Sequence, residues 1–222
     1  MLSETERTLV AQAVTEAEKL SAGEIVTIVT PASDSYHDVA LVWSAFVALL
    51  ALAVLELAPG FYLPLVDRVL GLWAHAWSPR AVLGLALGVA ALKFAGMYLL
   101  MLWRPLRLAL TPGPVKAARV HARALTCFRI GAESRTTGRT GVLVYLSLAE
   151  RRAEIIADEA VAGKVAPDVW GDAMHAMLGH VRAGRLGDGM AAAVAQVGTV
   201  LAAHCPRAAD DINELPDRLI EI

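Results

Sequence analysis

Four acids follow segments that read as strands. "GEIVTIVTPASDSYHD" carries Asp34 and Asp38 just beyond a β-branched run ending at Thr30, and "AEIIADEA" carries Asp158 and Glu159 beyond a second run. Carboxylates in such places suit a divalent cation such as calcium, because a hard cation needs several oxygen ligands converging on one point. A cation held there would in turn serve a phosphoester. Ligands of α/β sheets collect beyond the carboxyl ends of parallel strands. Asp34 and Asp38, with Ser33, Ser35 and His37 around them, are therefore expected at that edge. Asp158 and Glu159 close an antiparallel strand and are expected at the opposite edge. Turn-forming and capping roles account for the same four acids without any ligand.

Other chemistries find little to rest on. His175 and His180 are five apart, on different faces of a helix, and cannot form the i, i+4 pair of a zinc helix. "AGKVAP" lacks the glycine spacing of a phosphate loop, and no GxSxG occurs. Arg151-Arg152 could take a phosphate, although an exposed charged turn explains them as well. With only Cys127 and Cys205, neither a disulfide framework nor a CxxC motif is present. A net charge of -2 and the absence of a nucleic-acid motif argue against a general nucleic-acid binder.

The remaining conspicuous charge is Lys93, in the middle of an apolar run. The chain is 56% hydrophobic, and the excess lies between Val39 and Trp103. Residues 39–55 carry no charge and residues 81–103 carry only Lys93, so both runs approach the roughly 17–25 residues that cross a bilayer. A domain this small has no core that could bury two such helices all round. Residues 39–103 are therefore expected to form a transmembrane hairpin, with an interfacial helix at about 61–78 rich in Trp and Tyr. In lipid Lys93 should face another helix, a water pocket or a second copy of the chain. Glu56 matches it in charge but lies near the loop end of the first helix, roughly 15 Å away in depth at ~1.5 Å per residue.

Orientation follows from the basic residues. Residues 104–139 hold eight Lys and Arg against Glu133 alone, whereas the loop at 59–80 holds only Arg68 and Arg80. The positive-inside rule places both termini in the cytoplasm and loop 59–80 outside, with the hairpin in the inner membrane. Lys116, Arg119 and Arg123 share one helical face close to that membrane, where anionic lipid or plain solvent would suit them. "MLSETERTLV" has neither a basic n-region nor an apolar h-region, so no cleavable signal peptide is expected there.

Ser3-Glu4-Thr5-Glu6 is a capping box that opens an amphipathic helix, and "EIVTIVT" follows as a strand. Beyond the apolar segment, "TPGP" starts a helix running to Gly131. "GVLVYLSL" is apolar on both faces, as a central strand should be, and "AEIIAD" is its hairpin partner. Helices at 168–182 and 189–204 close the pattern. One strand before the apolar segment cannot make a sheet alone, so it must pair with a strand beyond it. Residues 1–38 and 104–222 thus form one discontinuous α/β domain with the hairpin spliced into its first crossover.

"GRTGVLVYLSLAERRAEIIADEAVAGKVAPDVWGDAM" resembles the core of the TPM-domain family: glycine, apolar strand, charged turn, second strand ending in an acid, then a Trp-bearing helix. "GEIVTIVTPASDSY", "RLGDGMAAAVAQVGTVLAAHCP" and "DDINELPDRLIEI" are similar to its first strand and to the C-terminal part of bacterial membrane-anchored members. The resemblance implies a three-layer α/β/α sandwich with a small mixed sheet. Its members include a thylakoid-lumen protein of photosystem II repair and a modulator of acetylcholine receptors. Acid phosphatase activity and calcium binding have been attributed to some. Many lie on the outer side of a membrane, whereas the basic flank here points inward. The expectation is a membrane-anchored, non-enzymatic module assisting assembly, maintenance or regulation of other membrane proteins, with lipid and a homo-oligomer as further partners. A divalent-cation-dependent acid phosphatase and a channel or transporter accessory subunit are the alternatives.

Overall fold

The computed structural model describes residues 2–71, 77–131, 140–207 and 218–222, which divide into two compact units. The first joins residues 1–34 to residues 113–222. It opens with α1 (Glu4–Glu18), whose capping box is complete: Ser3 Oγ accepts from the Glu6 amide, and the Glu6 carboxylate accepts from the Ser3 amide at 2.8 Å. Then follow β1 (Ile25–Thr30), α6 (Gly113–Gly131), β2 (Val142–Ser147), β3 (Arg152–Ala157), α7 (Glu159–Ala162), α8 (Trp170–Arg182), α9 (Leu186–His204) and β4 (Leu219–Glu221). The numbers α2 to α5 belong to the second unit.

The four strands lie in the order β3-β2-β1-β4. β1 runs parallel to β2, Ile25 opposite Val142 and Thr30 opposite Ser147, and parallel to β4 on its other side. β2 and β3 form the antiparallel hairpin. Strand alternation sends side chains to two faces. Ile25, Val29, Val142, Val144 and Leu146 share one core with α1, α8 and α9. Val26, Ile28, Leu143 and Tyr145 pack on Val120, Ala124 and Phe128 of α6. Every residue of β1 and β2 is buried, as a strand covered on both faces requires. The result is a three-layer α/β/α sandwich around a small mixed sheet.

α9 is long and apolar enough to cross a membrane by length and composition alone. Its Met190, Ala193, Val194, Val197 and Leu201 are instead in the core, and the helix packs on α1 and α8. Where α9 passes α1, a Cβ on Gly198 would lie 2.5 Å from that of Ala17, so only glycine permits the approach.

The second unit comprises residues 35–112. It holds α2 (His37–Leu57), α3 (Pro59–Leu70), α4 (Pro79–Met101) and α5 (Arg104–Leu110). α2 and α4 are both long and apolar enough to span a bilayer, and they pack along one another. Within α4 only Met101 is buried, while Leu83, Leu87, Leu92, Leu99 and Leu100 are exposed. On α2 the buried positions are the small residues Ala40, Ser44 and Ala48, with Leu41, Val42, Phe46, Leu49 and Leu50 turned outward. Trp43 fixes the start of α2 by donating from Nε1 to the Leu110 carbonyl at 3.2 Å.

The helix expected at about 61–78 is shorter. α3 ends at Leu70 because Gly71 takes φ +69° and its amide bonds back to the Asp67 carbonyl, a left-handed C-cap that suits glycine. Trp73, His75 and Ala76 lie outside the described residues. Trp77 returns to α3 by donating to Asp67 Oδ2 at 3.2 Å.

Candidate functional site at the carboxyl edge of the sheet

Register brings the carboxyl ends of β1 and β2 together, Thr30 beside Ser147. The chain leaving β1 places Ser33 across that edge. Ser33 Oγ donates to Ser147 Oγ at 2.9 Å, and Ser147 Oγ donates to the Glu150 carboxylate. A hydroxyl has one proton to give. With the Ser33 proton committed to Ser147, the Tyr145 phenol, 2.9 Å from Ser33 Oγ, must be the donor of that pair. Protons therefore point in one direction from Tyr145 through Ser33 and Ser147 to Glu150. The second Glu150 oxygen accepts from the Ser33 amide at 3.0 Å.

Tyr145, Ser147 and Glu150 are buried. Burial pushes the Tyr145 phenol above its ordinary range, while its hydrogen bond with Ser33 opposes that rise. This chain is a relay of hydroxyls ending on a carboxylate, with no histidine in it. Its evident work is mechanical: it ties the turn after β1 to the β2–β3 hairpin. Its only trace in the sequence is Ser147-x-x-Glu150 at the end of the apolar run, and the spacing alone does not announce Ser33.

Asp34 follows directly, with Oδ2 3.0 Å from Arg119 Nη1 on α6. Lys116, Arg119 and Arg123 lie on α6 at i, i+3 and i+7. Of the three, Arg119 is engaged by Asp34. Asp38 sits in the first turn of α2, within the second unit. Asp158 is the N-cap of α7: its side chain accepts from the Glu159 amide at 2.7 Å, and its own amide donates to the Gly141 carbonyl at 2.8 Å. That contact places Asp158 and Glu159 beside the amino end of β2, at the opposite edge of the sheet from Ser33 and Asp34. Among the described residues no three His, Cys, Asp or Glu side chains gather as a metal would need. Asp210, Asp211 and Asp217 of the tail lie outside the described residues.

Two histidines and both cysteines have defined local surroundings. His180 Nδ1 lies 3.2 Å from Arg185, and His121 lies 3.3 Å from Glu154 on β3. Burial pushes the Cys127 thiol up, so it is protonated at neutral pH, and Cys205 is in the core. In the second unit, Lys93 lines a cavity of about 420 Å3 with Tyr62, Leu50, Val54, Leu85 and Val89. No ionic partner of Lys93 is found among the described residues.

The fold and these sites can be set beside known proteins. Residues 118–200, from α6 through most of α9, match the family model of the TPM domain. The match starts beyond the apolar unit, which separates β1 from the rest of its sheet. The structure is similar to the NMR structure of the BA42 protein from the psychrophilic bacterium Bizionia argentinensis, with a TM-score of 0.57. That likeness covers 100% of this chain and 96% of the other at 16% identity, and so concerns the fold. No curated protein matches the chain significantly.

Proposed function

From the premise that the chain carries a TPM domain, we propose that it is an integral protein of the inner membrane whose domain lies wholly on the cytoplasmic side. There it serves as a non-enzymatic module assisting the assembly, maintenance or regulation of other membrane proteins. One observation carries this reading: two helices with outward-facing leucines, long enough to cross a bilayer, lie in the chain between β1 and β2, which are hydrogen-bonded neighbours. An even number of crossings is what allows both halves of one sheet to meet on one side. The excess of Lys and Arg in residues 104–139 over loop 59–80 supports the cytoplasmic side. The engagement of Asp34 by Arg119 and of Asp158 by a helix start supports a binding module over a hydrolytic one.

Sidedness is tested by a Cys introduced at Ser78 in a chain lacking Cys127 and Cys205. Labelling by a membrane-impermeant maleimide from outside is expected; labelling only from the cytoplasmic face would overturn the orientation. The module is tested by gentle detergent extraction and mass spectrometry of co-purifying proteins, comparing the intact chain, Lys93→Leu and a chain without residues 39–103. A defined set of membrane proteins that depends on the domain is expected, and a partner-free protein would sink the reading. A cation-dependent phosphatase is the competing reading, favoured by the place of Asp34 just beyond β1. It requires saturable phosphoester hydrolysis that disappears in Asp34→Asn.

A further inference from the structure

On the α8–α9 side of the sheet, the end of β2 opens into a cavity of about 600 Å3. That volume is within the roughly 300–1,000 Å3 usual for small-molecule sites. Leu146, Leu178, Val181 and Leu186 supply its apolar wall, and among the described residues the only charged ones lining it are Arg151 and Arg182. Arg151 comes from the β2–β3 turn and Arg182 from the end of α8, so two separate elements each bring an arginine to one cavity. Neither side chain has a hydrogen-bonded or ionic partner among the described residues. The neighbouring Arg185 differs, being held by Asp188 at 3.2 Å and by His180.

The backbone at Arg151 adds an independent sign. Its φ is +52°, in the left-handed region where a side chain is strained and glycine is not. A turn that needed only its shape would be easier to make with glycine or asparagine. The position also lies where ligands of parallel strands collect.

We propose that this cavity binds a small amphiphilic anion: one carboxylate or phosphate group held by Arg151 and Arg182, carried on a short apolar body that fills the space between Leu146, Leu178, Val181 and Leu186. Guanidinium forks match both oxyanions, and an apolar wall strengthens the pairing by excluding water. A soluble organic anion and the headgroup of an anionic lysolipid share this chemistry.

The test uses the full chain in zwitterionic nanodiscs, titrated with 4-fluorophenylphosphonate and followed by fluorine NMR. Saturable binding is expected, weakened roughly tenfold or more in Arg182→Gln and in Arg151→Gly. Arg151→Gly keeps the turn geometry and removes only the cation, and Arg151→Lys should restore part of the affinity. Inorganic phosphate should compete only far more weakly, because it lacks the apolar body. Displacement of the probe by lysophosphatidate added to the disc would support the site with a lipid source; displacement only by soluble phosphonates and carboxylates would support it with a soluble one. No saturation, affinity unchanged in both arginine variants, or inorganic phosphate binding as tightly as the phosphonate would each overturn the proposal.

Discussion

Arg119 and Asp34 are joined by an ion pair of 3.0 Å that links α6 to the turn after β1. These are the two pieces of the α/β unit between which the apolar segment is inserted. The Asp34 and Arg119 side chains are 25% and 42% exposed, so solvent screens the pair. Its coupling, measured by a double-mutant cycle of thermal stability with Asp34→Asn and Arg119→Gln, should be about 0.2–1 kcal/mol. It should shrink in about 1 M salt, where the screening length is only about 3 Å. A coupling well above that range, insensitive to salt, would mean that the pair closes the domain far more firmly than its exposure allows.

Gly198 of α9 faces Ala17 of α1 so closely that an added Cβ would sit 2.5 Å from the alanine methyl and 3.1 Å from its Cα. Neither helix can yield without disturbing the core they share. Gly198→Ala should therefore destabilise the protein by roughly 1–3 kcal/mol, as overpacking usually does, despite alanine's better helix propensity. A higher melting temperature in the variant would show that α1 can shift aside at little cost.

The fold was legible wherever local pattern and burial agree. "EIVTIVT" and "GVLVYLSL" read as strands because both faces of each are covered, and the capping box at Ser3 marked α1 to the residue. The pairing of β1 beyond the apolar segment followed from its need for a partner, and the three-layer sandwich was what the family resemblance implied. β4 was not legible: it is three residues long, and its place beside β1 comes from pairing alone. The shortening of α3 to Leu70 turns on the φ of a single glycine that otherwise interrupts an unbroken helical stripe. For the site, sequence located Asp34 and the edge to which it belongs. It placed Ser33 at that edge too, but missed the link from Ser33 to Tyr145, Ser147 and Glu150, because their hydroxyls and carboxylate meet only through the register of β1 on β2.

Glu150 is buried and accepts from both Ser147 Oγ and the Ser33 amide. Replacing it with alanine would strand two donors away from water, at a cost of about 1–3 kcal/mol for each group left unsatisfied. Glu150→Ala should lower the melting temperature clearly, and Glu150→Gln, which keeps an acceptor, should lower it less. Equal effects of the two would mean that the negative charge, rather than the hydrogen bonding, matters at this edge.

Thr27 on β1 presents the opposite case. It is fully buried on the face it shares with Ile25 and Val29, and its hydroxyl has no hydrogen-bond partner among the described residues. Valine has nearly the same shape without the polar atom, so Thr27→Val should stabilise the protein by about 1 kcal/mol or more. Thermal melts of the two chains decide it; a loss of stability would show that the hydroxyl is satisfied in solution.

Glu221 of β4 gives the fold a dependence on pH. Its carboxylate accepts from the Leu2 amide and from Arg7, each at 2.9 Å, and so holds the start of α1 against the edge strand. The Leu2 amide is the larger cause holding its pKa below the ordinary 4.5; desolvation opposes this, and Arg7 adds to the lowering. Glu6 is shifted the same way, chiefly by the Ser3 amide it caps. For a group whose folded pKa is depressed, the stabilisation is fully present above the unfolded value and is lost as pH falls through the folded one. Stability should thus be level with pH above 4.5 as far as these two acids govern it, and should decline below that. In Glu221→Gln the tie to Arg7 loses its charge at every pH, so the variant should melt below the parent at neutral pH and approach it as the solution is acidified. Melting temperatures of the two chains measured from neutral pH down to about pH 3 test this, since by then an ordinary carboxylate with a pKa near 4.3 is mostly protonated. A gap between them that stays constant throughout would separate the role of Glu221 from its charge.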